Sequence, residues 1–221
     1  MLILCFDTET TGLPQRHTSI YETEKWPHIV QLSFMLYDTE KKEIVQEYDE
    51  IIKIAETVEL TPKSVEIHGI TRDVIEKRGI PIEKALYAFK CALKNSDCSI
   101  GHNLSFDKRL LIVESIRNKG FDTNDNSVVQ FRFGKEFCTM LNSVDVCKIK
   151  MFRKDGSSVY YKYPTLLELH EHLFQTKPHN AHDSKVDVII CLRCYCKLAL
   201  NYDLSRESRH FRRMYRECCT L

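Results

Sequence analysis

The chain is predicted to be a mixed α/β domain, on three observations. Its N-terminus opens with a short, continuously apolar run, Leu2 to Phe6, as a buried central strand does. Two further strand-like runs follow before residue 55. From Thr61 onward, capped helical segments alternate with short strands. Strands first, then helices alternating with short strands, describe one α/β domain.

The elements are taken in order. Residues 14–28 are mostly polar, carry Pro14, Trp26 and Pro27, and read as a long loop. Ile29 to Asp38 is a strand, and Glu43 to Ile54 is its partner across the charged turn Glu40-Lys41-Lys42. Three opening strands in meander order result. Thr61-Pro62 starts a short helix that stops at Gly69, and Thr71 caps another that stops at Gly79. Pro81 opens a third, with Ile82, Ala85, Leu86, Phe89 and Leu93 at helical spacing. Cys98 to Gly101 is a short strand. Ser105 or Asn103 then caps a helix with Phe106, Leu110, Val113 and Arg117 on one face, ending before Gly120. Residues 121–135 show no period and read as a loop. Asp155-Gly156 between two strand-like runs predicts a hairpin. Thr165 and Glu168 have capping-box spacing for a helix through Phe174. Ser184 caps the last main helix, which carries Val186, Ile189, Ile190 and Leu198.

Composition bounds the function. The 221 residues are 43 % hydrophobic and 29 % charged, which argues against disorder. With 7 Gly and 6 Pro, long flexible linkers are not expected. No apolar run approaches the roughly 18 residues that span a bilayer, so no membrane partner is expected. The first residues lack a basic lead-in and a cleavage site, and read as a strand, not a signal peptide. The 10 cysteines are then expected as free thiols in an intracellular, reducing compartment, cytoplasm or nucleus. Net charge is +1, which argues against holding nucleic acid by charge alone.

The acidic residues reverse that last expectation. Asp7 and Glu9 lie two apart at the end of the first strand, so both point to one face. Two like charges this close are costly unless a cation compensates, and hard carboxylate oxygens suit Mg²⁺ or Mn²⁺ better than zinc. The plainer reading is a solvated strand end. Asp107 falls in the first turn of a helix, where the dipole favours an anion. Asp187 falls in the first turn of the last main helix, with His182 in the loop before it.

Three segments together resemble the DEDDh, or DnaQ-like, 3′–5′ exonuclease family of the ribonuclease-H-like fold. Phe6-Asp7-Thr8-Glu9-Thr10-Thr11-Gly12-Leu13 resembles its first motif, His102-Asn103 through Asp107 its second, and His182 with Asp187 its third, in the histidine form. The resemblance covers residues 1–200. It implies a central mixed sheet flanked by helices. Residues 201–221 lie beyond it and are expected as a basic C-terminal tail or helix docked on the domain. The chain also resembles exonucleases carried by large DNA viruses.

The resemblance implies metal-dependent removal of nucleotides from 3′ ends, DNA favoured, releasing 5′-monophosphates. Two Mg²⁺ or Mn²⁺ ions would be held by Asp7, Glu9, Asp107 and Asp187, with Asp7 bridging them. Such a pair clamps the attacking and leaving oxygens of an in-line displacement. His182 would be the general base, since imidazole titrates near neutral pH. His179 is a rival at the less fitting spacing of eight. For the substrate, the resemblance implies that Thr10 meets the terminal hydroxyl, that Leu13 wedges between bases and that Phe106 and Asn103 flank the last nucleotide. His68, in Ile67-His68-Gly69-Ile70-Thr71, would lie along the strand. Each has a plainer reading: core packing for Leu13 and Phe106, a local turn or cap for Thr10 and Asn103, a helix end for His68. The implied partners are single-stranded or frayed 3′ ends of DNA or RNA, with replication or repair proteins beyond them. Two divalent ions would bring the formal charge of +1 to about +5. The alternatives are an RNA trimmer of the oligoribonuclease or RNase T type and a catalytically silent nucleic-acid-binding module.

Weaker signals remain. Tyr160, Tyr161, Lys162 and Tyr163 either stack on nucleic acid or form an ordinary strand with one solvated face. The arginine-bearing tail from Ser205 is either a docked amphipathic helix or an element that holds the strand. Cys191 and Cys194 form a C-x-x-C inside a helical run, where small core residues are expected and not a zinc site.

Overall fold

A computed structural model describes residues 1–118, 131–153, 158–179 and 182–220. Its five-stranded sheet is centred on β1 (Leu2–Thr10). β2 (Ile29–Asp38) runs antiparallel to β1, and β3 (Glu43–Ile51) antiparallel to β2. On the other side β4 (Cys98–Gly101) is parallel to β1, and β5 (Lys135–Cys138) parallel to β4. The order β3-β2-β1-β4-β5 makes the sheet mixed. Among the described residues no helix is long and apolar enough to cross a membrane, and none of the ten cysteines is in a disulfide.

β1 outruns its apolar stretch. Asp7 to Thr10 stay in the ladder because β2 supplies partners, Asp7 opposite Ser33 and Glu9 opposite Gln31, before a bulge between Glu9 and Thr10. Strand alternation then sorts its side chains. Leu4 and Phe6 pack with α3 (Ile82–Lys94) and α4 (Leu104–Arg117), whereas Ile3 and Cys5 pack with α7 (Ser184–Ala199). Burial on both faces is why this strand reads as a continuous apolar run.

Capping chemistry sets most helix starts. Thr61 and Thr71 accept from the backbone N–H three residues on, at 3.2 and 3.4 Å, opening α1 (Pro62–His68) and α2 (Arg72–Arg78). Gly69 ends α1 at φ 72°, a conformation that costs glycine little. The capping box of Thr165 and Glu168 opens α6 (Leu166–Phe174). Two caps differ from expectation. α4 begins at Leu104; Asn103 precedes it in the left-handed region at φ 62° and makes no side-chain cap, and Ser105 lies inside the helix. Asp183, not Ser184, caps α7, accepting from the N–H groups of Lys185 and Val186. Both residue types cap well, and the carboxylate one position earlier reaches two donors.

The expected strand from Glu43 to Ile54 ends at Ile51, with Ile52 bridged to Ile80. The loop assigned to 121–135 yields β5 at its end; its residues 121–130 lie outside the described residues, as do Asp155 and Gly156. The flanking runs do pair, as β6 (Lys150–Phe152) and β7 (Val159–Tyr161), after α5 (Val144–Cys147). Both faces of that ribbon are exposed, where one packed face was expected. α8 (Leu204–Glu207) and α9 (Arg209–Cys219) finish the chain. Phe211, Met214 and Tyr215 of α9 are buried in the same core as α7, and so are Cys191, Cys194 and Cys196.

A buried polar cluster secures that end. Arg193 of α7 donates to both oxygens of Asp203, at 2.9 and 2.8 Å. Arg193 and the Tyr215 hydroxyl both reach Nε2 of the fully buried His170, at 3.1 and 2.9 Å, while His170 Nδ1 donates to the Thr176 carbonyl. Burial lowers the His170 pKa to about 4. Burial would raise Asp203, but the Arg193 hydrogen bonds and charge prevail and bring it to about 2.

Candidate active site

The C-terminal end of β1 carries the candidate site. Asp7 and Glu9 point to the α7 face, and the first turn of α7 brings Asp187 to them. Ligand oxygens of Asp7, Glu9 and Asp187 all lie within 4.8 Å of one another. Asp107 comes from the opposite face of the sheet. Thr8, alternating between Asp7 and Glu9, points there, and its N–H and hydroxyl both donate to Asp107 Oδ1, at 3.1 and 2.7 Å. Asp107 is 3 % exposed and stands outside the tight trio, yet its charge acts on Asp7 more than any other carboxylate does.

The start of α7 is locked in place. Ser184 Oγ lies 2.5 Å from Ser33 Oγ, and the Ser184 N–H donates to Gln31 Oε1. Gln31 and Ser33 also donate to Asp49 Oδ1, each at 2.8 Å. Asp187 is therefore positioned from β2 and β3. His182 precedes the helix at φ 73°, with an exposed side chain, and its backbone N–H hydrogen-bonds the Asp187 carboxylate.

Electrostatics gives the site its character. Burial first, then Asp107, Asp187 and Glu9, push Asp7 well above the usual carboxylate range. Burial and the charges of Asp187 and Asp107 push Glu9 up to about 9. Burial raises Asp107 and Asp187 to about 7, against hydrogen bonds that pull the other way. Four carboxylates with these shifts form a site that gains from positive charge. Their donor set is all oxygen, which suits a hard divalent cation such as Mg²⁺ or Mn²⁺.

The expected substrate residues divide. Leu13 is 83 % exposed, so it does no core packing. Phe106 packs partly into the core between the sheet, α3 and α4. Asn103 is exposed. The Thr10 hydroxyl donates to the Gly12 carbonyl at 2.6 Å, the local turn bond that was its plainer reading. His68 joins α1 to the end of β1: its Nδ1 accepts from the Ile70 N–H at 3.0 Å, so Nε2 carries the proton and donates to the Thr10 carbonyl at 3.2 Å. The backbone N–H of His179 donates to the Cys219 carbonyl at the far end of α9.

Sequence reasoning missed Thr8, though its place between two acids marks it for the opposite face. It also missed the clamp on residues 23–29. Buried Glu114 accepts from the Ile29 N–H at 3.1 Å and pairs with Arg117 at 2.9 Å, and Arg117 donates to the carbonyls of Thr23, Trp26 and Pro27. A helical i, i+3 acid–base pair gives no hint in sequence that it will hold a loop.

An exonuclease family model, RNase_T, matches residues 4–195. No curated protein matches the sequence. Among solved structures, E. coli exonuclease I in complex with a 5cy-dT13 oligonucleotide superposes with a TM-score of 0.60 at 15 % identity, over 97 % of this chain and 43 % of that one. A second E. coli exonuclease I structure gives 0.62 at 14 % identity, over 90 % and 42 %. A moderately thermophilic exonuclease I from Methylocaldum szegediense gives 0.59 at 17 % identity, over 93 % and 42 %. The chain thus spans less than half the length of these exonuclease I chains, and the likeness is one of fold.

Proposed function

Because the chain belongs to the RNase_T exonuclease family, we propose that it hydrolyses single-stranded nucleic acid, DNA favoured, from the 3′ end. The observation that carries this reading is the convergence of Asp7, Glu9, Asp107 and Asp187, all with raised pKa values. DNA is favoured because the similar E. coli enzyme is described in complex with a dT13 oligonucleotide.

Asp7, Glu9, Asp107 and Asp187 would hold two Mg²⁺ or Mn²⁺ ions. When bound, these supply positive charge to the attacking and leaving oxygens of an in-line phosphoryl displacement. The protein's own part follows from its geometry. β1 and α7 fix Asp7, Glu9 and Asp187 from one face, and Thr8 fixes Asp107 from the other. His182, exposed beside Asp187, takes a proton from the attacking water and can pass it to solvent. The water oxygen bonds to phosphorus as the P–O3′ bond breaks, the leaving O3′ takes a proton from solvent, a nucleoside 5′-monophosphate leaves, and the shortened strand keeps a 3′-hydroxyl. Exposed Leu13 and Asn103, with Phe106, meet the terminal nucleotide without reading its base.

The test is digestion of 5′-labelled linear and circular single-stranded DNA, and of linear RNA, with Mg²⁺ and with Mn²⁺. The expected result is stepwise shortening of linear DNA, intact circles and no reaction in EDTA. Cutting of circles, or no metal-dependent mononucleotide release, would overturn the proposal.

A further inference from the structure

The ribbon of β6 and β7 serves no core. All six of its strand residues are exposed. Lys150 lies opposite Tyr161, Met151 opposite Tyr160 and Phe152 opposite Val159, and directly paired residues share a face. One face therefore presents Lys150, Phe152, Val159 and Tyr161. Phe152 is 72 % exposed; Tyr163, two residues beyond Tyr161, is 60 % exposed. A two-stranded ribbon is marginal by itself, and apolar area left in water on this scale marks a binding surface.

Its charge says what it fits. Lys162 is paired with Glu168 at 2.6 Å, but Lys148, Lys150 and Arg153 also lie on or beside the ribbon, and no carboxylate occurs among the described residues 148–153 and 158–163. Cations interleaved with exposed aromatic rings suit a single strand, with phosphates on the lysines and bases stacked on the rings. A protein partner's apolar face would not call for that excess of positive charge.

Its position points to the same ligand. His102 immediately precedes Asn103 and the helix that carries Asp107. His102 Nε2 lies 3.0 Å from the Pro164 carbonyl, one residue beyond Tyr163, and its Nδ1 lies 3.0 Å from the Thr139 hydroxyl. The Pro164 carbonyl can only accept, so Nε2 carries the proton. Burial lowers the His102 pKa to about 4, so this tie is a neutral hydrogen bond. It roots the ribbon beside the candidate site.

We propose that the face bearing Lys150, Phe152, Tyr161 and Tyr163 is a stacking platform for the part of a single strand that lies 5′ of the nucleotide being removed. This rests on the nucleic-acid reading of the candidate site, and the test separates the two. Binding of fluorescein-labelled dT20 is measured by anisotropy in EDTA, with no hydrolysis. Hydrolysis of the p-nitrophenyl ester of thymidine 5′-monophosphate is measured with Mn²⁺, which reports the acidic site alone.

The triple variant Phe152→Ala/Tyr161→Ala/Tyr163→Ala should bind dT20 about tenfold or more weakly, with thermal stability and ester hydrolysis unchanged. Tyr161→Phe should bind as the wild type does, because stacking needs the ring and not the hydroxyl. Lys150→Gln should flatten the salt dependence. Should the triple variant fail to fold, Phe152→Ala alone must still weaken dT20 binding about threefold. Wild-type affinity in the triple variant or in Phe152→Ala, or no dT20 binding by the wild type, overturns the platform and leaves the ribbon to a protein partner. Platform-dependent dT20 binding with no ester or DNA hydrolysis would instead sink the proposed catalysis and spare the platform.

Discussion

The molecule buries two polar clusters, and their charge balance is opposite. Around His170, the Arg193 guanidinium meets the Asp203 carboxylate in a two-pronged pair, and Asp203 falls to about 2. At the end of β1, four carboxylates meet, and Glu9 rises to about 9. The first cluster is complete as it stands and rivets α6, α7 and α9 together. The second is costly as it stands and gains from added cations. A buried charge that is balanced is architecture; one that is left unbalanced is a place for chemistry.

Neutralising one acid in each cluster separates the two roles. Asp7→Asn should cut nuclease activity roughly a thousandfold or more, about 4 kcal/mol of barrier, while thermal stability holds or rises. Asp203→Asn leaves a half-buried guanidinium without its countercharge. It should cost about 1.5–3 kcal/mol, a fall in Tm of about 5–10 °C, and leave the activity of the folded fraction near normal. Melting curves and initial rates of both variants decide this; equal effects on rate and Tm in the two would erase the distinction. A smaller effect is expected for His182→Ala, about a hundredfold in rate with unchanged Mn²⁺ affinity, because His182 is no ligand in this account. Lost Mn²⁺ affinity in calorimetry would count against its role as base.

Acidity should divide the clusters by sign. The acidic-site carboxylates titrate higher in the folded chain than in the unfolded one, where they sit near about 4. Their contribution is therefore complete below about pH 4 and is lost as pH rises, with Asp107 and Asp187 titrating at about 7 and Glu9 at about 9. Asp203 is depressed to about 2, so its contribution is present above about pH 4 and lost as pH falls toward 2. In EDTA, Asp7→Asn should flatten the alkaline loss and Asp203→Asn the acid loss, read from Tm against pH. The mildest change is Leu13→Ala, which should raise KM a few-fold with kcat and Tm held, since the side chain packs on nothing internal.

Much of this was legible in the residues. Thr165 and Glu168 announced their capping box, and Thr61-Pro62 and Thr71 announced their helices, because caps are local chemistry. Strand alternation puts Asp7 and Glu9 on one face and helix starts place Asp107 and Asp187, but that the three segments share one site is legible only through the family resemblance. β5 was not: Lys135-Glu136-Phe137-Cys138 is a short charged edge strand whose identity comes only from pairing with β4. The cap of α7 was misplaced by one residue because Asp183 and Ser184 both suit the position. The anchoring of α7 by Gln31, Ser33 and Asp49, and the cluster of His170, Arg193, Asp203 and Tyr215, join residues far apart in the chain. No local pattern announces such contacts. The exposed ribbon stays open between two readings for the opposite reason, since its alternation resembles a half-buried strand and nothing local says that no layer covers it.

The central claim is that the acids at the end of β1 form a cation centre. Calorimetric titration of the metal-free wild type with Mn²⁺, beside Asp7→Asn and Asp203→Asn, tests it most directly. Two ions should bind to the wild type and to Asp203→Asn, with binding weakened or lost in Asp7→Asn. Equal Mn²⁺ binding by Asp7→Asn and the wild type, or none by the wild type, would contradict it.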